Sequence, residues 1–283
     1  AYLGSALRYP ETDFYFRNLD GTGHLLKKPD LRGRTITNRV QMLSSTTMRG
    51  VILQQFTFAL ACEGETFYEG EASFGYFEAA ALENQAGLDG GATSQPWYRQ
   101  PNADAASSID LLDFDNEALR QQYYSASPAR PHYRLFDGQL DLLDTVRIAA
   151  SGGSYGQGYV HAEARVDPAD WFFTCHFYQD PVMPGSLGVQ AIQQAVQTYA
   201  IHENLGAHLH SPHFAQVANH RTTWKYRGQI KPEDQALELD VHVRDVDERA
   251  DQTTIVGDAS VWRDSRRIYE VNDVGVCIRE AGS

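Results

Sequence analysis

The residue whose type and surroundings best suit chemistry in this chain is His176, set in a stretch almost free of charge. Residues 171–206 read WFFTCHFYQDPVMPGSLGVQAIQQAVQTYAIHENLG, with no charged side chain between Asp180 and Glu203 if His202 is neutral. A neutral imidazole takes up a proton near pH 7, which makes His176 a candidate general base. Leu187, Ala191, Ile192, Ala195, Val196, Tyr199 and Ala200 recur at helical spacing, and the uncharged remainder predicts a helix covered by protein nearly all round. Pro184 and Gly185 suit its start and residues 204–206 its end. His176 then lies close to free backbone N–H groups of a first helical turn, which can hold a developing negative oxygen. Before it, residues 171–173 are bulky and aromatic and predict a strand. Cys175 beside His176 raises a nucleophilic Cys/His pair, but neighbouring strand side chains point to opposite faces, so a packed thiol is expected.

The scaffold for such a site must come from the rest of the 283 residues, enough for two modules of about 130 residues each or one large domain. No apolar run reaches the roughly 18 residues of a membrane span, so no spanning helix is predicted. The N-terminus AYLGSALRYP has no basic region ahead of an apolar core, which predicts no signal peptide and suggests the middle of a longer protein. Cys62, Cys175 and Cys277 are odd in number and lack metal-like spacing, which argues against a disulfide framework and suits a reducing cytoplasm. A net charge of −13 repels nucleic acid and anionic lipid. It also repels any acidic protein partner, whose docking would need a local basic patch or a covalent tether.

Alternating segments FYFRNLDGTG, RGRTITNRVQML, GVILQQFTFALAC and TFYEGEASFGYF, with turn signals at Asp20-Gly21, Arg49-Gly50 and Glu63-Gly64, predict an antiparallel meander after Asp13. The C-terminal part repeats the scheme through TWKYRGQI, ALELDVHVRDV, TTIVGDASVW and RRIYEVNDVGVCI, with Tyr68-Glu69 falling on Tyr269-Glu270. The expected organisation is one and a half copies of one fold: the later strands of a first copy in residues 1–77, a linker over 78–134 and a complete copy over 135–283. A short amphipathic helix is expected over residues 113–124 of the linker, and a strand over 158–166 of the second copy. His202, His208, His210, His213 and His220 invite a metal reading, but HLHSPH lacks the carboxylate or helical i, i+4 pair of a zinc site, so a solvated loop and no metal are expected. There is no GxGxxG after a strand, no P-loop and no GxSxG, which leaves nucleotide binding and serine hydrolysis without support.

The segments WFF, CHF, DPVMPG and LG, running into a long helix, resemble the bacterial β-hydroxyacyl-ACP dehydratase/isomerase family with the hot-dog fold. LDLLDTVRI, GYVHAEARVDPADWFF and FAQVANHRTTWKYRGQI resemble further segments in that family's order, so the resemblance covers about residues 135–278. Residues 1–77 are more similar to the linked hot-dog modules of polyunsaturated fatty acid synthases, through DFYFRNLDGTGHLLKKPDLRGRTITNR and FYEGEASFGYF. The resemblance implies an α+β hot-dog fold, a long buried central helix wrapped by a curved antiparallel sheet, here a double hot dog with an incomplete first copy. It implies His176 as base, the Val182 carbonyl as the group that holds the other ring nitrogen, and Gly185 as the oxyanion donor. Glycine permits a thioester to approach the backbone closely, although a turn after Pro184 also accounts for it. Asp180 aligns with a family carboxylate that is not catalytic, and DP more often begins a turn.

The family's catalytic carboxylate aligns with Gln190, and an amide does not donate a proton as a carboxylic acid does. Natural loss of activity, an engineered carboxylate-to-amide change, or an acid supplied by another hot dog would each account for this. Family sites take histidine from one hot dog and the carboxylate from the other. The implied function is dehydration of 3-hydroxyacyl thioesters carried on acyl carrier protein, with or without double-bond isomerisation, in fatty acid or polyunsaturated fatty acid synthesis. No cofactor is implied beyond the carrier's phosphopantetheine, and the implied partners are the carrier, other domains of the multienzyme, and a second chain or upstream fragment for hot-dog pairing. The alternatives are a non-catalytic pseudo-dehydratase that binds acyl chains or scaffolds its neighbours, and a hot-dog thioesterase, which usually activates water with a carboxylate not evident on this helix.

Overall fold

A computed structural model describes residues 4–83, 85–101, 103, 108–127 and 132–281. Its centre is helix α3 (Gly185–His202), whose buried residues include Leu187, Ala191, Ile192, Ala195, Val196, Tyr199 and Ala200. The helix lies against strands β6 (Thr145–Ala149), β7 (Tyr159–Arg165), β10 (Ala236–Arg249), β11 (Gln252–Arg263) and β12 (Arg266–Glu280). Alternation along the strands supplies the other half of the core: Leu239, Val241 and Val243 of β10 and Ile255 and Val261 of β11 are fully buried. Fully burying a side chain such as Ile192 contributes roughly 1.5–3 kcal/mol. This is the α+β hot-dog architecture, a long buried helix wrapped by an antiparallel sheet.

Residues 1–77 supply β1 (Tyr15–Leu25), β2 (Ile36–Met48), β3 (Val51–Cys62) and β4 (Glu65–Phe77). They are not a simple meander, because β1 pairs with β4 and not with β2. The second copy uses the same order, β10, β11, β12, then β9 (His220–Tyr226). The repeat is close in register: β3 and β11 begin at residues 51 and 252, β4 and β12 at 65 and 266, an offset of 201 in both cases. The copies join where Asp20 to Leu25 pair antiparallel with Lys225 to His220, giving one sheet of 12 strands. Asp20-Gly21 is therefore inside β1, beside a bulge after Asn18, and not a turn. A Cβ on Gly21 would overlap the Trp224 ring, so this glycine serves close packing across the seam. Among the described residues no helix covers the inner face of β2 to β4, and β2 is exposed along its whole length.

Three further expectations are corrected. Residues 171–173 form a 3-10 turn (Trp171–Thr174) and not a strand. Phe172 and Phe173 are both buried, and a helical turn can bring adjacent rings to one core where strand alternation would separate them. Cys175, expected to be a packed thiol, is exposed and its thiol donates to the Trp171 and Phe172 carbonyls. The stretch 78–134 is also more than a linker. It contains α1 (Ala79–Glu83), β5 (Asp110–Asp113), which pairs with β6, and α2 (Glu117–Tyr124), capped by Asn116, whose Tyr123 and Tyr124 join the second copy's core. Its middle part straps the outer face of the sheet. Asp89 pairs with Arg267 at 2.7 Å, the Trp97 ring packs on Tyr159, and Arg99 pairs with Glu238 at 2.7 Å. Short β8 (Pro212–Ala215) completes the strands by pairing with β12.

Beneath the strap, Asp240 accepts hydrogen bonds from the Trp97 N–H at 3.3 Å and the Tyr159 hydroxyl at 3.2 Å, with no Arg or Lys paired to it among the described residues. Burial pushes its carboxyl up to about 7. A carboxyl raised in the folded state holds its proton longer than in the unfolded chain, so folding stability falls as pH rises from about 4 through 7. Asp240→Asn should flatten that slope, matching wild type near pH 4 and exceeding it at pH 8 by on the order of 1 kcal/mol or more. Urea unfolding at pH 4, 6 and 8 checks this; parallel curves for the two proteins would refute it.

Candidate active site

His176 sits at the head of a loop that returns to the start of α3. Its backbone N–H donates to the Phe172 carbonyl at 2.9 Å, and its own carbonyl accepts from Val182 N–H at 2.8 Å. Its ring Nδ1 lies 2.9 Å from the Val182 carbonyl. A carbonyl only accepts, so Nδ1 carries the proton in this bond and Nε2 keeps the basic lone pair.

Gly185 is the first residue of α3, after Pro184 as N-cap, where backbone N–H groups have no partner within the helix. A Cβ there would meet the Tyr226 ring at 2.9 Å, and the Tyr226 hydroxyl donates to the Gly185 carbonyl at 3.3 Å. Close packing by Tyr226 thus requires a glycine here whether or not a ligand uses its N–H. His176, Val182, Gly185, Ser186, Val189 and Gln193 line one cavity of about 690 Å³. Its opposite wall comes from the first copy, through Phe16, Arg17, Tyr68 and Phe74, and its floor includes Trp224, Tyr226 and Tyr269. The lining is mainly apolar, and among the described lining residues there is no Asp or Glu. The hydroxyl groups present belong to Ser186, Thr222, Tyr68, Tyr226 and Tyr269. Burial raises the last three tyrosines above the usual phenol range, so they remain protonated donors.

Gln190 is partly buried on α3 but is not among the residues lining the His176 cavity. Asp180, from the same loop as His176, is engaged in a fork with Arg17 of β1, with contacts of 2.5 and 2.8 Å. The histidines 202 to 220 are dispersed: His202 bonds Tyr123 and Asp110, His208 faces Glu248, and His220 bonds the Asp273 carbonyl. Among the described residues, the ligand atoms of His161, Glu163 and Glu238 lie close enough together for a metal. Arg147 at 2.9 Å from Glu163 and Arg99 at 2.7 Å from Glu238 already neutralise those carboxylates, which makes the group an ion-pair network under the strap.

The first copy's contributions, Arg17, Tyr68 and Phe74, carry no periodicity or motif that marks them as cavity residues. The available signal is glycine inside β1 and β4, at Gly21, Gly23 and Gly70. Added Cβ atoms would strike the Trp224 ring at Gly21, the Tyr68 hydroxyl at Gly23 and the Phe58 ring at Gly70. Glycine in a strand interior marks such close approach.

Residues 135–272 match the FabA-like domain family. Over 282 residues the chain is 33% identical to a polyunsaturated fatty acid synthase polypeptide of Thraustochytrium sp., covering 98% of this chain and 19% of that relative. The chain thus spans about a fifth of that relative's length. Among solved structures it is similar to a tesB protein of Mycobacterium avium subs paratuberculosis, at 11% identity and TM-score 0.44, over 97% of this chain and 81% of the other. It is also similar to a MaoC-like dehydratase, at 10% identity and TM-score 0.42, over 98% and 79% of the two chains. With the buried helix, the wrapping sheet and the DPVMPG motif together, residues 135–272 are a FabA-like hot-dog domain.

Proposed function

We propose that this chain is the histidine-bearing part of a dehydratase acting on 3-hydroxyacyl thioesters carried by acyl carrier protein, within a cytoplasmic multienzyme of the polyunsaturated fatty acid synthase kind. The observation that carries the reading is the His176 ring held through Nδ1 by the Val182 carbonyl, in an apolar cavity that also contains the first turn of α3. His176 Nε2 takes the proton next to the thioester carbonyl. The Gly185 N–H holds the oxygen that becomes negative, and the lost water leaves from the neighbouring carbon once its hydroxyl is protonated. The elimination moves only protons and a C–O bond, so no cofactor is needed beyond the phosphopantetheine that presents the acyl chain.

The proton donor comes from outside this cavity. No carboxylate lines the described cavity and Gln190 lies outside it, which favours an acid delivered by another hot-dog helix. The uncovered inner face of β2 to β4 is where such a helix would pack, from another part of the multienzyme or from a second chain. The same missing carboxylate supports a second reading, a pseudo-dehydratase that binds acyl chains or scaffolds its neighbours without turnover.

Dehydration of a short 3-hydroxyacyl thioester, followed with this chain and with the longer multienzyme piece around it, separates the two. His176→Ala should lower turnover at least about 100-fold, the usual effect of losing a general base. Turnover that survives the change within a factor of two would overturn the role of His176; turnover absent from every piece, with acyl thioester still bound, would favour the pseudo-dehydratase. Gln190→Glu should not raise dehydration in the His176 site. A gain that disappears when His176→Ala is added would refute the separation of the two residues.

A further inference from the structure

We infer that Arg17, supplied by the helix-less first copy, is a positioning residue that holds the His176 loop in its working geometry; this inference rests on the function proposed above. The loop is short and closed on itself. Phe177 N–H donates to the Asp180 carbonyl at 3.0 Å, and Asp180 N–H donates back to Phe177 at 3.2 Å. Its tip faces solvent, with Tyr178 89% exposed and Gln179 at φ 61°. These internal bonds shape the loop but do not fix it against the sheet.

Asp180 provides that attachment. Arg17 Nη1 and Nη2 donate to its two carboxylate oxygens at 2.5 and 2.8 Å, a forked arrangement that sets orientation as well as distance. The guanidinium is itself fixed, since Nη1 also donates to the Phe16 carbonyl at 2.8 Å and Nε points to Gln229 Oε1 at 3.5 Å. Arg17 is 8% exposed and lies opposite Gly75 in the β1 to β4 ladder, so the fork is mounted on a rigid strand. Phe16, next to it, meets the edge of the Phe177 ring. Two residues beyond Asp180, the Val182 carbonyl sets the tautomer and direction of the His176 ring. The connection therefore runs from strand to fork, from fork to loop, and from loop to imidazole. It gives residues 1–77 a role that needs neither a histidine nor a helix of their own. Lysine offers a single point charge and would not reproduce the fork.

The test compares wild type, Arg17→Lys, Arg17→Met and the double variant Arg17→Met with Asp180→Asn, which leaves no unpaired charge in the site. With a short 3-hydroxyacyl thioester as substrate, kcat should fall about 10- to 100-fold in all three variants while KM stays within about threefold, as for a misaligned rather than a missing group. The double variant should melt like wild type yet remain slow. Independently of turnover, nitrogen-15 spectra of the histidine side chains should show the Nδ1–H form of His176 in wild type and a mixture of tautomers in the variants. A folded Arg17→Met or double variant with kcat within twofold of wild type, or with an unchanged His176 spectrum, would overturn the inference. If wild type shows no turnover either alone or within the longer multienzyme piece, the proposed reaction fails, and the spectra alone decide whether Arg17 positions the ring.

Discussion

The six-residue ladder between β1 and β9 is the contact on which the site depends. Strand edges with unpaired N–H and C=O groups invite pairing, and here the edges offered by the two copies satisfy each other, Asp20 to Leu25 against Lys225 to His220. Side chains lock the seam from both sides. Arg227 forks onto Asp20 at 3.0 and 3.1 Å, and the Trp224 indole donates to Asn18 at 3.2 Å. Without this ladder His176 would face solvent across an open groove, because the wall of Phe16, Arg17, Tyr68 and Phe74 belongs to the first copy. Close approach across the seam rests on Gly21, where the Trp224 ring takes the space of a side chain, while inside the first copy Gly23 makes room for the Tyr68 hydroxyl.

Within that cavity the distribution of charge is as informative as the residues present. The chain carries a net charge of −13, yet the described lining holds no carboxylate. Asp180, the acidic residue nearest to His176 in sequence, is committed to Arg17. Such an arrangement leaves the orientation of the imidazole to a main-chain carbonyl. In the dehydration proposed above it suits a base and leaves the acid to be brought from elsewhere.

The outer face of the sheet follows a different logic. Strand alternation turns Tyr159, His161 and Glu163 of β7 and Glu238, Asp240 and His242 of β10 away from α3, toward the strap formed by residues 88–99. Burying so many polar groups is tolerable because Arg99 and Arg147 pair with the two glutamates and Trp97 and Tyr98 cover the rings. Asp240, with one carboxylate oxygen unpartnered, is the exception, and its raised affinity for a proton is the consequence.

The helix, its burial and the place of His176 at its head were legible in the residues alone, because a charge-free run at helical spacing admits few other folds and the DPVMPG motif specifies the loop. So was the repeat, since two sets of strands with the same spacing pair in the same order. Residues 171–173 mislead, because aromatic bulk suggests a strand where two adjacent rings share one core, and Asp20-Gly21 misleads because a glycine needed for packing across the seam looks like a turn. The closed fold was needed to show that β5 and α2 belong to the second copy, that Gln190 is not among the residues lining the His176 cavity, and that Arg17 grips Asp180 from 163 residues away. Periodicity reports which face of an element is buried. It carries no information about which distant element buries it, and that pairing is settled by strand ladders and ion pairs formed only when the whole chain has closed.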